Sequence, residues 1–210
     1  MSGPGALADF PVHRIHPDRE LYRLHRHVHG PLWFASTASL GEGGRFELPD
    51  SSGFGTCYLA TSPVGAYLEK FGRIRTLTDE LLLAHRLSVL APTASLDLAD
   101  LTDRTALGDF RITADVSTGT DYAPSQELAL RLWESGFDGI YYAARHDPSL
   151  TERSVALFGP TGDQTAEYRK YFDLSTSLVP RGLVEQVAAD YHLRVLPTSM
   201  VFDSEGHEGP

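Results

Sequence analysis

Arginine supplies almost all the positive charge of this 210-residue chain, which contains two lysines, Lys70 and Lys170. Four arginines, together with several histidines, fall within residues 14–29. The planar guanidinium group suits two-pronged recognition of phosphate or carboxylate. The whole chain carries a formal charge of −10, which disfavours nucleic acid and acidic membranes because these require clustered cations. The composition therefore predicts a small anionic ligand rather than a polymer.

Alternating histidines raise the question of a metal site. His25, His27 and His29 would share one face of a strand. A zinc site needs three or four ligands, and the chain has neither a cysteine pair nor an HExxH sequence. We therefore predict that no metal is bound. Cys57 is the one cysteine, so it cannot form an internal disulfide and is expected to be a small buried residue.

Both strands and helices are predicted to position these side chains. Alternating or short apolar runs predict strands, at 21–25, 56–60, 85–90, 94–98, 138–142 and 154–158. Helical spacing and capping residues predict helices, at 62–72, 121–136 and 182–191. Since these elements interleave irregularly, we predict an α+β fold: one domain with a mixed, mostly antiparallel sheet and flanking helices.

Length and composition fit one globular domain, since 41% of the residues are apolar. We place this domain at residues 13–202, between a loose lead-in (1–12) and a disordered acidic tail (203–210). No apolar run approaches the roughly 20 residues that span a bilayer, and the first residues do not resemble a secretory signal. The expected location is the cytoplasm, without membrane or direct nucleic-acid binding. Self-association stays open.

Several short motifs occur in the order and approximate spacing of a known family. They are Tyr22-Arg23, Gly44-Arg45-Phe46, residues 56–60 (TCYLA), 66–69 (AYLE), 122–126 (YAPSQ), 138–140 (DGI) and 155–158 (VALF). Through these motifs the chain resembles RES-domain proteins over about residues 20 to 160. This resemblance implies a fold similar to ADP-ribosyltransferase toxins, cleavage of the nicotinamide–ribose bond of NAD⁺, and a role as the toxin of a bacterial toxin–antitoxin pair.

The resemblance also implies roles for individual residues. Arg23 and Glu69 match the family's arginine and glutamate, and Arg45 and Tyr58 match a supporting arginine and tyrosine. Glu69 would stabilise the positive charge that grows on the ribose as the nicotinamide leaves. Arg23 and Arg45 would clamp the pyrophosphate, and Tyr58 would stack on the nicotinamide or the ribose. NAD⁺ is then a substrate and not a resident cofactor; in a phosphorolysis, inorganic phosphate would be the co-substrate.

The family's serine has two candidate positions in this chain. One is Ser125, beside Gln126 in the back-half motif, and the other is Ala144, where many relatives carry serine. We predict Ser125 as the catalytic serine and Gln126 as a residue that contacts the dinucleotide. The position of Ser125 at a helix start is also typical of a capping residue.

Two other functions stay open from the sequence. One is transfer of ADP-ribose to a protein target. The other is a non-catalytic RES-like domain that binds a nucleotide or an antitoxin, for which Ala144 is the motive. The acceptor of the ribosyl group, whether water, phosphate or protein, is not decided by the residues. The expected protein partner is an antitoxin of helix-turn-helix type, because this chain carries no DNA-binding motif of its own.

Overall fold

The computed structural model describes residues 7–74, 76–113 and 115–197. Leu7–Asp9 and Asp50–Ser52 form short 3-10 turns. The strands in these residues are β1 (Val12–Ile15), β2 (Leu21–Arg26), β3 (Trp33–Phe34), β4 (Ser36–Thr37), β5 (Leu48–Pro49), β6 (Phe54–Ala60), β7 (Thr76–Thr78), β8 (His85–Pro92), β9 (Leu96–Asp100), β10 (Gly139–Ala143), β11 (Arg153–Pro160), β12 (Gly162–Asp163), β13 (Phe172–Leu178) and β14 (Arg194–Leu196). The helices are α1 (Pro63–Phe71), α2 (Asp79–Leu83), α3 (Arg104–Phe110), α4 (Asp115–Thr118), α5 (Ala123–Glu134), α6 (Thr165–Tyr168) and α7 (Arg181–Asp190).

Eight of the strands in the described chain form one sheet, in the order β1-β9-β10-β11-β6-β2-β8-β13. Neighbouring strands in this sheet are antiparallel, except that β9 and β10 are parallel. The remaining strands form short pairs, β12 with β3, β14 with β7 and β4 with β5. The predicted α+β fold with a mixed, mostly antiparallel sheet is confirmed.

The sheet is weakly joined between β2 and β6. Strand β2 pairs with β8 along the whole length of β2. Strand β6 pairs with β11 along the whole length of β6. Between β2 and β6 the register among the described residues is limited to Tyr22 opposite Ala60. The hydrogen-bonded ladder is therefore interrupted near the middle of the sheet.

Side chains alternate between the two faces of the sheet and divide the apolar core. On one face, α1 and α7 pack near Leu24 and Leu87, and α5 packs near Ile140 and Ala156. The opposite face carries a third cluster, to which Leu157 belongs. Because α1 and α5 cover the same face side by side, the strands between them form the floor of a groove.

Helix α1 begins where the sequence predicts. The Ser62 hydroxyl accepts a hydrogen bond from the Gly65 amide at 2.9 Å, and Pro63 occupies the first turn, where no amide hydrogen is needed. Tyr67, Leu68 and Phe71 anchor the helix in the core. The predicted helices at 121–136 and 182–191 are confirmed as α5 and α7. No helix among the described residues is both long and apolar enough to cross a membrane.

Part of the predicted lead-in is packed instead of loose. Leu7 and Phe10 are 6% and 2% exposed, and β1 begins at Val12 and pairs with β9. This short segment has no periodic pattern of apolar residues, so its burial could not be predicted from the sequence. Strand β13 is also not predicted from the sequence, because this edge strand is mostly polar and exposed. Residues 1–6 and the predicted tail at 203–210 lie outside the described residues.

The packing of the N-terminal segment can be tested with Phe10→Ala. The Phe10 ring lies 4.8 Å from the Phe110 ring and 6.3 Å from the Phe137 ring, centroid to centroid. Removing a buried phenylalanine should lower the free energy of unfolding by about 3–5 kcal/mol, measured by urea denaturation. Val12→Ala is the control, since Val12 is 50% exposed and should change stability by less than about 0.5 kcal/mol. Equal, small effects of both variants would mean that the segment is loose.

Candidate active site

A cleft of about 400 Å³ opens where the ladder between β2 and β6 is interrupted, bordered by α1 and the N-terminal end of α5. This volume lies within the range of small-molecule sites. Residues from the first half of the chain and from its back half meet in the cleft. They are Tyr22, Arg23, Leu24, Gly43, Gly44, Arg45, Tyr58, Leu59, Ala66, Glu69, Lys70, Arg73, Tyr122, Tyr142, Arg145 and His146.

Four of the predicted site residues lie together in this cleft: Arg23, Arg45, Tyr58 and Glu69. They come from β2, from the loop before β5, from β6 and from α1. Ser125 and Gln126, the other two, are not among its lining residues.

Glu69 reaches from α1 onto the sheet. Its Oε1 atom accepts hydrogen bonds from the Ser154 hydroxyl at 2.7 Å and from the Tyr142 hydroxyl at 3.3 Å. Burial raises the pKa of Glu69 above its ordinary value, although both hydrogen bonds, and the positive charges of Arg45 and Arg73, act in the opposite direction. Glu69 is therefore an acid whose ionised form is costly to maintain, as is typical of functional carboxyl groups.

Arg23 is partly buried beside the interrupted ladder. Its Nη1 atom donates to the Pro31 carbonyl oxygen at 2.6 Å and to the Cys57 sulfur at 2.9 Å. Cys57 is fully buried, as predicted. These neutral partners fix the guanidinium without cancelling its charge.

Arg45 is buried, and its guanidinium group is held by other parts of the protein. Its two terminal nitrogens donate to the carbonyl oxygens of Val116 and Gly119, at 3.0 and 2.7 Å. The guanidinium carbon lies 4.6 Å from the centre of the Tyr122 ring. Burial lowers the pKa of Arg45, but an arginine stays charged at neutral pH. Arg45 therefore holds the segment before α5 in place and also adds positive charge to the cleft.

Tyr58 and Gln126 support the loop that carries Arg45. The Tyr58 hydroxyl accepts a hydrogen bond from the Phe46 amide at 2.8 Å. The fully buried Gln126 side chain accepts from the Gly41 amide at 2.7 Å, and it donates to the carbonyl oxygens of Glu42 and Gly44. The geometry thus gives Gln126 a supporting role instead of the direct ligand contact that the sequence predicted.

Ser125 does not have the position of a catalytic serine. It is 1% exposed, and its hydroxyl donates to the Val116 carbonyl oxygen at 2.8 Å. The residue before α5 is Tyr122, so Ser125 lies in the first turn of the helix and not at its cap. The geometry does not support the predicted catalytic role of Ser125, because its hydroxyl ties α5 to α4 and does not line the cleft. Ala144, the alternative position, is buried and carries no hydroxyl.

A cationic group around Tyr122 is not indicated by the motifs of the sequence. The Tyr122 hydroxyl accepts hydrogen bonds from Arg73 and from Arg145, the latter at 3.1 Å. Arg73 lies four residues after Glu69 but beyond the end of α1 at Phe71, so helical spacing does not identify it. Arg145 and His146 follow β10 after Ala144, and polar residues shortly past a strand end are a weak signal.

The loop that carries Arg145 and His146 is stabilised by hydrogen bonds within the loop and by close packing against the end of α1. Asp147 accepts hydrogen bonds from the backbone or hydroxyl groups of Ser149, Thr151 and Glu152. Burial alone would raise the pKa of Asp147, but these hydrogen bonds outweigh it and lower the pKa far below its ordinary value. A Cβ atom at Gly72 would lie 2.3 Å from the His146 Cβ atom. Glycine is therefore required where α1 meets this loop.

The cleft concentrates positive charge in an acidic protein. Arg23, Arg45, Lys70, Arg73 and Arg145 line it, against the single carboxyl group of Glu69. The ion pairs found within the described ranges all lie elsewhere, so no carboxylate approaches these cations within 4.0 Å there. Burial and the neighbouring arginines lower the pKa of His146. His146 is therefore neutral at physiological pH and does not add to the charge.

The alternating histidines contact separate partners. His25 Nε2 lies 2.8 Å from the Ser88 hydroxyl, His27 Nδ1 lies 3.0 Å from the Ala84 carbonyl oxygen, and the His29 ring packs against Trp33. Over residues 7–74, 76–113 and 115–197, no group of three or more His, Cys, Asp or Glu side chains is arranged to hold a metal ion.

Fold and site together define an α+β protein with an arginine-rich small-molecule cleft that is lined by one acid, Glu69. A family model described as RES domain matches residues 20–177. The chain belongs to the RES domain family.

A solved structure shares the fold. It is a chain of the crystal structure of the M. tuberculosis MbcT–MbcA toxin–antitoxin complex, with a TM-score of 0.59 and 19% sequence identity. The alignment covers 84% of this chain and 92% of that one. Comparison with curated proteins gives no match.

The raised pKa of Glu69 leads to a stability prediction. Ionised Glu69 destabilises the folded state, so Glu69→Gln, which keeps an acceptor for Ser154 and Tyr142, should be more stable than wild type at neutral pH. The gain should be about 1.4 kcal/mol for each pH unit by which the folded pKa exceeds the unfolded one, or roughly 2–4 °C in Tm per kcal/mol. It should vanish as the pH falls through the folded pKa towards the ordinary value of about 4.3, where wild type is protonated too.

Urea denaturation at several pH values would measure this difference. Glu127→Gln is the control, because Glu127 is an exposed residue of α5 and should change stability by less than about 0.5 kcal/mol. A Glu69→Gln variant that is less stable than wild type at neutral pH would contradict the raised pKa of Glu69.

Proposed function

We propose that this protein cleaves the nicotinamide–ribose bond of NAD⁺, as a glycohydrolase or a phosphorylase. The observation that carries the proposal is the composition of the cleft, which is lined by five cationic residues and a single acid, and in the described chain none of these cations has an ion-pair partner. A dinucleotide supplies what such a cleft lacks, a pyrophosphate with two negative charges. Arginine binds this group with paired hydrogen bonds.

Glu69 has the chemistry that the reaction needs. When the bond between the ribose C1′ and the nicotinamide nitrogen breaks, the electron pair leaves with nicotinamide, whose ring becomes neutral. No acid has to protonate the leaving group, unlike in ordinary glycoside hydrolysis. The ionised Glu69 can stabilise the positive charge on the ribose and hydrogen-bond its hydroxyls. An oxygen of water or phosphate then bonds to C1′, and the proton that water loses can pass to Glu69.

Aromatic side chains complete the fit to NAD⁺. Tyr58, Tyr122 and Tyr142 line the same cleft, and tyrosine offers a flat apolar surface with a polar end. The hydroxyls of all three are already engaged in hydrogen bonds. Their rings are therefore held in place for contact with the ribose or the nicotinamide.

We further propose that the protein is the toxin of a toxin–antitoxin pair. The support is membership of the RES domain family, together with the shared fold of a chain from the M. tuberculosis toxin–antitoxin complex. In this proposal a partner antitoxin, of helix-turn-helix type, restrains the enzyme. Cys57 is the one cysteine of the chain and cannot form an internal disulfide, which fits action in the cytoplasm.

The central test is release of nicotinamide from NAD⁺ by the purified protein, followed by chromatography. Glu69→Gln should lower kcat by about 10²–10³, the scale for one well-placed electrostatic partner. Ser125→Ala should keep its rate, because the Ser125 hydroxyl contacts backbone and not the cleft. Full turnover by Glu69→Gln would refute the role of Glu69, and loss of turnover by a folded Ser125→Ala would restore the sequence prediction for that serine.

The acceptor is decided by the same assay with labelled NAD⁺. Faster release in the presence of inorganic phosphate, with ADP-ribose-1″-phosphate as product, identifies a phosphorylase, and free ADP-ribose identifies a glycohydrolase. A labelled protein band from cell lysate identifies ADP-ribosyl transfer instead. Tight NAD⁺ binding without nicotinamide release indicates a non-catalytic domain.

The cationic side of the cleft predicts a binding defect. Arg145→Ala should raise KM for NAD⁺ about tenfold or more, with a smaller effect on kcat, because a hydrogen bond to a charged group is worth about 1.5–3 kcal/mol and 1.4 kcal/mol is a factor of ten. Steady-state kinetics at several salt concentrations would show this. The control Arg131→Ala removes an exposed arginine of α5 and should leave KM unchanged. Equal KM values for the two variants would exclude a role of Arg145 in binding.

A further inference from the structure

The two oxygens of the Glu69 carboxyl group have different surroundings. Oε1 accepts both hydroxyl hydrogen bonds, from Ser154 and from Tyr142. Within the described part of the chain, no hydrogen bond engages Oε2. One oxygen is thus bound to the protein, and the other is available to a ligand in the cleft.

The two hydroxyls are built into the sheet. Tyr142 on β10 and Ser154 on β11 are directly opposite each other in an antiparallel pair, so their side chains leave the same face about 4.5–5.5 Å apart at Cβ. Their neighbours Tyr141 and Val155 belong to the opposite face. Ser154 is 0% and Tyr142 3% exposed. Paired strands hold donors more rigidly than a loop would.

A serine at this place has no packing advantage. Its neighbours on β11 are Val155, Ala156 and Leu157, all buried, and a buried hydroxyl is costly unless it is hydrogen-bonded. Alanine would fill nearly the same space without that cost. The hydroxyl of Ser154 is therefore explained by its partner, the carboxyl group of Glu69.

We propose that Ser154, assisted by Tyr142, is a positioning residue that keeps the Glu69 carboxylate ionised and turns its Oε2 atom toward the ligand. This inference rests on the proposed function of Glu69 as the acid of the cleft. It concerns how this chain prepares that acid for the reaction.

Other groups face Glu69 from the surrounding elements. Arg45 from its loop and Arg73 beyond α1 lower its pKa by their charge, and the neutral phenols of Tyr58 and Tyr142 face it from β6 and β10. The arginines form no ion pair with Glu69 within 4.0 Å, so Ser154 and Tyr142 are its direct partners. Hydrogen bonds to an ionised acid lower its pKa. Their loss should raise the pKa of Glu69 further.

The test is the pH profile of nicotinamide release by Ser154→Ala. The acidic limb of kcat should move upward by about one to two pH units. Below that limb, the rate should be about tenfold lower for each pH unit that the limb has moved. At higher pH the rate should recover toward wild type, and KM should stay the same. Tyr142→Phe should move the limb less, because its hydrogen bond is longer.

Control variants separate positioning from packing. Ser154→Thr keeps a hydroxyl on the strand and should restore the wild-type profile. Tyr141→Phe changes the next residue of β10, whose ring stacks on His13 on the other face, and should leave the profile unmoved. A Ser154→Ala variant with lower stability but an unchanged profile would overturn the proposal.

A readout without substrate separates this proposal from the proposed function. The carbon-13 NMR signal of the Glu69 carboxyl group, titrated in wild type and in Ser154→Ala, reports the pKa directly. A higher pKa in the variant supports the positioning role, even if wild type releases no nicotinamide. An unchanged titration overturns it, even if NAD⁺ cleavage is established.

Discussion

The site depends on a carboxyl group kept in a place where its charge is disfavoured. Glu69 is carried by α1 onto the face of the sheet, where two hydroxyls from β10 and β11 receive it. Burial raises the pKa of this acid, while the hydroxyls and the surrounding arginines favour its ionised form. The balance between these effects determines how much of the acid is ionised at the pH of the cell. A fold that moved α1 away from β11 would lose this balance at once.

The cations of the cleft are fixed by neutral groups. Backbone carbonyl oxygens and a thiol hold Arg23 and Arg45, and the Tyr122 hydroxyl holds Arg73 and Arg145. A carboxylate partner would have oriented these side chains equally well, but it would also have cancelled their charge. Dipolar partners orient the guanidinium groups and leave their field in the cleft, where solvent screens it less than at an open surface. Because the rest of the protein is acidic, the positive field attracts an approaching anion to the cleft and not to the remaining surface.

Much of the fold and part of the site could be predicted from the sequence. Alternation and capping identified β2, β6, α1 and α5, and the family motifs brought Arg23, Arg45, Tyr58 and Glu69 to one cleft. The role of Ser154 could not be recognised from its position in an apolar strand, because this role depends on which strand lies opposite. The prediction for Ser125 met the same limit: a hydroxyl near a motif is indistinguishable in sequence from one that contacts the site. Linear patterns report local structure well, but they do not show which distant residue a polar side chain meets.

The order of the strands has a consequence for how the protein matures. The floor of the cleft is complete when β11 lies between β6 and β10, although β6 is made long before β11 on the ribosome. Pairing between such distant segments is slow to form, because a long loop must close first. A nascent chain that has already exposed Arg23 and Glu69 therefore still lacks the strand that holds the acid. Synthesis must pass residue 160 before a competent cleft exists, which delays any activity until most of the polypeptide has emerged.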